Sequence, residues 1–329
     1  MKLYAQSISA VLGLTTIFLH ESRPNSSSEQ ALAETKPSGI GSWAEVIEAE
    51  VDPGVVTDPV LRGAIQATAL PWRVRDRVTG IEMLLIPPGE FVMGKSEGDD
   101  VAKENELPAH QVKLTTAFYL GRYEVTQQQF AGITKATPSE FAKFQAPTLE
   151  ALMKEGDTKS AAEKKVQSWV APPPAPDAKG KEWPVETVSW DDSAAFCKKA
   201  GLRLPTEAEW EYACRAGTRT LRYGELDEIA WFKKNGRGQT HAVGTKRGNA
   251  LGLHDMLGGV WEWVNDLYGS KYYATSNAVN PQGPSSGTTR VLRGGSWVSQ
   301  SLVCRASNRY NRTPANSVNG LGFRVAKTP

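Results

Sequence analysis

Cysteine, histidine and net charge are all scarce in this sequence. Three cysteines and four histidines in 329 residues are too few for a zinc ribbon, an iron–sulfur cluster or a disulfide-dense miniprotein. Thirty-eight lysines and arginines against 36 aspartates and glutamates leave a net charge of +2, which gives no electrostatic reason to expect nucleic acid as a partner. No Gly-x-Ser-x-Gly elbow, phosphate loop or His-Glu-x-x-His occurs, so those routes to hydrolysis and phosphoryl chemistry are excluded. Carboxylates are scattered without a defensible catalytic pair. Glycine (30), proline (20) and tryptophan (10) are plentiful, a mix that suits an irregular, loop-rich domain held by aromatic packing. With 40% hydrophobic and 22% charged residues the chain can bury a core and is not a disordered chain.

Lys2 precedes an apolar stretch, Ile8 to Leu19, interrupted by Ser9, Thr15 and Thr16. Twelve residues are too short for a comfortable span and fit a signal-peptide h-region. Residues 1–23 are therefore expected to be a signal peptide or an N-terminal anchor, and the protein periplasmic or secreted. Ala31-Leu32-Ala33 has the small-x-small form of a cleavage site but lies far beyond the apolar run, so a membrane tether through an uncleaved leader stands as the alternative. Residues 24–72 read as linker and extension, with a short helix expected around Trp43–Glu50.

The folded body is expected over 73–329. Ile81–Ile86 and Phe91–Gly94 flank Pro87-Pro88-Gly89-Glu90, which reads as a β-hairpin. Gln111–Leu114 and Ala117–Leu120 read as short strands. Thr126 can cap a helix from Gln127, with Phe130 on its buried side. Ser189 or Asp191 caps another, which Gly201 ends, and Thr206 with Glu209 makes a capping box. Residues 136–182 are rich in Ala, Lys, Glu and Pro and read as a surface insertion with one amphipathic helix (about 147–168) and a polyproline spacer.

Several ordered blocks resemble the formylglycine-generating enzyme (sulfatase-modifying factor) family. They are Ile86-Pro87-Pro88-Gly89-Glu90-Phe91 with Met93-Gly94, Tyr123-Glu124-Val125-Thr126, Pro184-Val185 with Val188-Ser189-Trp190, and Arg203 through Tyr212. Asn249 through Trp263, Arg290 through Trp297 and Gly322-Phe323-Arg324 complete the set. The resemblance implies an α+β fold that is irregular and C-type-lectin-like, with little regular secondary structure. It does not choose a function, because the same fold serves copper oxidases that make formylglycine, iron-dependent sulfoxide synthases, maturation proteins and ligand-binding display proteins.

In the family's oxidases two cysteines after the Gly-Gly-Ser-aromatic block hold Cu(I), a soft ion suited to thiolates. Counting from Ser296, those positions fall on Ser299 and Cys304. Counting back from Pro314 instead, Arg305 and Arg309 match the family's paired arginines, and Cys304 leaves the catalytic register. Either count leaves a single soft ligand, so copper is not expected. Ser296 and Trp261 match residues lining the oxidase pocket and also have a plain architectural role. An iron centre needs a histidine triad, and the chain offers only His20, His110, His241 and His254. The resemblance further implies a Cys214–Cys304 disulfide, with Cys197 a buried free thiol; three reduced thiols are the alternative. It also implies a structural calcium ion on the side chains of Asp255 and Glu262 and the carbonyls of Gly258 and Val260. Hard oxygens on a tight glycine turn suit Ca2+. Otherwise Asp255 caps a turn and Glu262 pairs with an arginine such as Arg305.

The expectation is a calcium-stabilised binding or scaffolding/maturation module without oxidase activity. Its partner would be a protein or peptide, met by Ser299, Gln300, Asn308, Tyr310 and Asn311, residue types suited to adaptable recognition. The alternative is an oxidative protein-maturation enzyme acting on a sulfatase or another periplasmic protein.

Overall fold

Residues 81–86 carry a nearly unbroken apolar run, and such a run belongs in the middle of a sheet. A computed structural model describes residues 40–136, 138–139, 158–161, 163 and 183–329. In chain order the strands are β1 (Ala44–Glu48), β2 (Arg73–Asp76), β3 (Glu82–Ile86), β4 (Gly89–Met93), β5 (His110–Leu114) and β6 (Phe118–Gly121). After them come β7 (Trp261–Leu267), β8 (Arg290–Arg293), β9 (Tyr310–Arg312), β10 (Leu321–Gly322) and β11 (Ala326–Lys327). The helices are α1 (Pro59–Gln66), α2 (Gln127–Thr134), α3 (Trp190–Ala200), α4 (Glu207–Arg215) and α5 (Leu226–Ile229). β3 is indeed central, in a five-stranded antiparallel sheet of order β1-β2-β3-β6-β11. A second sheet runs β10-β7-β8-β9, with β10 and β7 parallel, and β4 pairs only with β5. The architecture is α+β, with loops carrying most of the chain between β6 and the C-terminus.

Local chemistry sets the helix ends. Thr126, Ser189 and Thr206 each accept a hydrogen bond from the third backbone N–H of their helix, and Gln129, Asp192 and Glu209 answer with reciprocal bonds. Gly201 closes α3 in the left-handed conformation. α2 and α3 bring Phe130 and Phe196 into a stack, and Phe323 meets both edge-on.

Two expectations are corrected. The segment Trp43–Glu50 is not a helix; Ala44–Glu48 is an edge strand antiparallel to β2. Val46 and Ile47 are β-branched, and Glu48 gains an ion pair with Arg73 across the ladder. Pro87-Pro88-Gly89 does not make a hairpin either. β3 and β4 lie in different sheets, because two prolines cannot donate to a ladder. Gly89 then packs so close to α4 that a Cβ there would sit 2.3 Å from the Tyr212 hydroxyl. Residues 40–72 contribute Val51, Val56, Ile65 and Trp72 to the core. The expected leader (1–23), the start of the linker and most of the 136–182 insertion lie outside the described residues; of the amphipathic helix expected over about 147–168, residues 158–161 and 163 are described, and 159–161 and 163 are helical.

The carboxylates that looked scattered in sequence are collected by buried arginines. Arg293 is fully buried and donates to Glu211 at 2.5 Å and to the carbonyls of Ala306, Ser307 and Asn308. Arg309 forms a two-pronged pair with Glu207 at 2.6 and 2.8 Å. Arg305 grips Glu106 with two bonds of 2.7 Å and also meets Asp99. Arg324 grips Glu262 with two bonds of 2.6 Å. Burial opposes a charge on Glu207, but Arg309 and Arg293 outweigh it and hold its carboxyl below the ordinary range. Removing one member of such a pair strands the other. Arg293→Ala is therefore expected to lose about 3–5 kcal/mol of stability in urea unfolding. Arg219→Ala, which breaks an exposed pair with Glu97, should lose under about 1 kcal/mol.

Candidate functional site

The Gly294-Gly295-Ser296 turn opens one wall of a cleft of about 290 Å³. Gly295 has a φ of 85°, and a Cβ there would lie 2.9 Å from the Cys304 sulfur, so only glycine fits. Beyond it Ser299 closes a tight loop: its N–H donates to the Ser296 carbonyl at 2.8 Å, and its Oγ accepts from the Ser296 N–H at 2.9 Å. Trp261, at the start of β7, stacks on Tyr310 of β9 with ring centroids 5.5 Å apart. The aromatic pair forms the apolar face of the cleft, and Ser296, Ser299, Asn308 and Lys103 supply polar atoms.

Of the residues singled out in sequence, Trp261, Ser296, Ser299, Asn308 and Tyr310 meet in this one cleft. Gln300 does not; with Ser301 and Leu302 it borders a separate open groove beside Arg222 and Leu226. Asn311 pairs with Val291 in the β8–β9 ladder and is not part of the lining. Cys304 is fully buried behind Gly295 and also lines nothing. Sequence reading missed Lys103, Arg312, Val298 and Val318. Lys103 reaches the cleft because the neighbouring Glu106 is pinned by Arg305 almost 200 positions away, a pairing with no local signal. Val298 and Val318 are apolar, and the expected ligand surface was drawn from polar and aromatic residues around them.

The loop Asp255-Met256-Leu257-Gly258-Gly259-Val260 lies at the foot of β7. Asp255 is buried, with a φ of 55°, and its Oδ2 accepts from the Gly244 N–H at 2.6 Å. Glu262 does pair with an arginine, but with Arg324 rather than Arg305, and it also accepts from the Trp210 indole at 2.7 Å. A third carboxylate, Glu124, accepts from the Val260 N–H at 2.8 Å. Burial, and then the charges of Asp255 and Glu262, push the Glu124 carboxyl well above its ordinary range. Burial raises Asp255 to about 6. Three buried carboxylates thus share one guanidinium, a crowding that protonation of Glu124 or a bound cation would relieve. Glu262 is the member already neutralised. Among the described residues no three His, Cys, Asp or Glu side chains form a ready metal cage, so an ion here would depend on backbone carbonyls.

A family described as "Sulfatase-modifying factor enzyme 1-like domain" matches residues 72–329. The chain belongs to this family. It is 35% identical to the formylglycine-generating enzyme of Streptomyces coelicolor, over 73% of this chain and 87% of that one. It is 30% identical to a Mus musculus protein named inactive C-alpha-formylglycine-generating enzyme 2, over 75% of this chain and 85% of that one. Among solved structures, Treponema denticola variable protein 1 superposes with a TM-score of 0.59 at 28% identity, covering 76% of this chain and 95% of that one. The family's irregular α+β fold is the fold seen here.

Against the family's oxidase pattern the cysteines are the point of departure. The implied Cys214–Cys304 bridge is not formed; Cys197, Cys214 and Cys304 are all free and buried. Arg305, held by Glu106 and Asp99, fixes its neighbour Cys304 against the Gly295 turn. Burial pushes all three thiols from 9 up to about 12. An unreduced sample is expected to show three titratable thiols in denaturant and none at neutral pH in the native state. A single reactive thiol in denaturant would instead signal the bridge. Because folding raises these pKa values, the associated stability is intact below pH 9 and is lost as the pH rises toward 12. Alkaline unfolding should move to higher pH in a Cys197→Ala variant.

Proposed function

We propose that the chain is a binding or scaffolding domain for protein maturation, not an oxidase, and that the Trp261–Tyr310 cleft is its ligand surface. One observation carries this reading. At the two positions where a two-thiolate copper site would be sought from Ser296, there is a hydroxyl in the cleft wall, Ser299, and a neutral thiol sealed behind Gly295, Cys304. A hydroxyl is a poor ligand for Cu(I), and one thiol alone does not make a two-thiolate site. Relatives include a protein named a generating enzyme and one named inactive, so similarity alone favours neither activity, and the residues at these two positions support the second. Oxidative maturation of a sulfatase or another exported protein is the rival reading. Incubation with Cu(I), O2 and a Cys-x-Pro-x-Arg peptide separates the two. The expected outcome is an unchanged peptide mass; conversion of its cysteine to the aldehyde would overturn the proposal.

Calcium belongs to this reading as a structural ion. The charge excess around Asp255, Glu262 and Glu124 supports it. Asp255 and Glu262 would hold the ion with the Gly258 and Val260 carbonyls, and it would supply only cross-linking of the loop beneath β7. Ca2+ is expected to raise the thermal midpoint of the EDTA-treated protein and Mg2+ to raise it less. An equal midpoint with and without Ca2+ would remove the ion from the proposal. The apolar segment Ile8–Leu19 supports placement outside the cytoplasm, in the periplasm or secreted, with the N-terminus as a possible tether. Recovery of the intact chain from the cytoplasmic fraction alone would contradict that.

A further inference from the structure

The cleft is one-sided in charge. Two cations, Lys103 and Arg312, line it, and no aspartate or glutamate does. Among the described residues neither cation has a carboxylate partner. Lys103 Nζ donates to the Asn308 side-chain oxygen at 3.3 Å, and Arg312 lies over the Tyr310 ring at 5.1 Å. The buried arginines nearby, Arg293, Arg305, Arg309 and Arg324, are by contrast each matched by a carboxylate.

Asn308 adds an independent observation. It is 1% exposed, and its Oδ1 faces two cations, Lys103 Nζ at 3.3 Å and Arg305 Nη2 at 3.5 Å. That arrangement fixes the amide, since turning it would set an NH2 group against both positive charges. The Nδ2 is left as a buried donor with no acceptor, a cost that persists until something accepts from it. Two cations without a carboxylate partner among the described residues thus stand beside an aromatic wall, and the residue between them, Asn308, holds a buried amide donor without an acceptor. Val298 and Val318 are 48% and 45% exposed at its rim, enough to cover an apolar neighbour.

We infer that the ligand is a peptide carboxylate, from an Asp or Glu side chain or a free C-terminus, next to an apolar or aromatic residue. This inference rests on the cleft being the ligand surface and adds the ligand's charge. Lys103 and Arg312 attract and orient the carboxylate, and the low-dielectric Trp261–Tyr310 wall concentrates their field. The apolar residue packs on that wall and on Val298 and Val318. A peptide carrying arginine at this place is repelled.

The test uses the full-length protein and two displayed random heptapeptide libraries, one with free C-termini and one with the randomised segment held internally. Peptides retained by the wild-type chain should be rich in Asp and Glu beside an apolar residue. If the C-terminal carboxylate is the group read, only the free-ended library enriches. The double variant Lys103→Glu/Arg312→Glu should lower retention of the selected peptides about tenfold and favour Lys and Arg instead. Lys103→Gln/Arg312→Gln, which keeps size without charge, should weaken them without reversing the preference. Selection of basic peptides, or a preference unchanged by either variant, would overturn the carboxylate assignment. Failure of both libraries to enrich over a Trp261→Ala/Tyr310→Ala control would instead overturn the ligand-surface reading beneath it.

Discussion

Buried guanidinium–carboxylate pairing is the constraint on which this fold depends. The domain has short strands and long loops, so hydrogen-bonded ladders alone do not fix its parts. Arg293, Arg305, Arg309 and Arg324 do so by joining segments remote in sequence: the loop near 100, helix α4, strand β7 and the C-terminal stretch. Each guanidinium also donates to carbonyls or side chains around it, which satisfies loop groups that would otherwise be buried without partners. Pairs of this kind add specificity of arrangement more than net stability, because desolvation offsets most of the attraction.

The cleft inherits its shape from that network. Tyr310 follows directly on Arg309, Asn308 precedes it, and Lys103 stands three residues from Glu106. Holding those positions by charge rather than by regular secondary structure leaves the neighbouring side chains free to vary. A recognition surface can then change without disturbing the scaffold, and a reactive pair can be lost from it with the fold intact. In this chain Ser299 hydrogen-bonds back to Ser296 beside the Gly294-Gly295 turn, and Cys304 packs behind Gly295.

Much of this was legible in the residues. The cap at Thr126, the cap at Ser189 or Asp191, the capping box at Thr206 and the closing glycine at 201 follow local rules, and local rules need no knowledge of the rest of the chain. The ordered blocks gave the fold, and five cleft residues came from positions within them or close to them. The errors came where distant partners decide. Trp43–Glu50 became a strand because β2 offered an edge, and the double proline joined two sheets rather than two strands of one. Glu262 met Arg324 instead of Arg305, and the cysteines stayed apart. Lys103 and Arg312 were invisible because nothing near either one in sequence marks a charge left unmatched.

Arg324 ties together segments that are far apart in the chain. It bonds Glu262, the Gly121 carbonyl and the His254 carbonyl at once, and β11 just after it seals the edge of β6. The first sheet therefore closes only when strands distant in sequence, β6 and β11, have met, which makes its completion a slow, long-range step of folding.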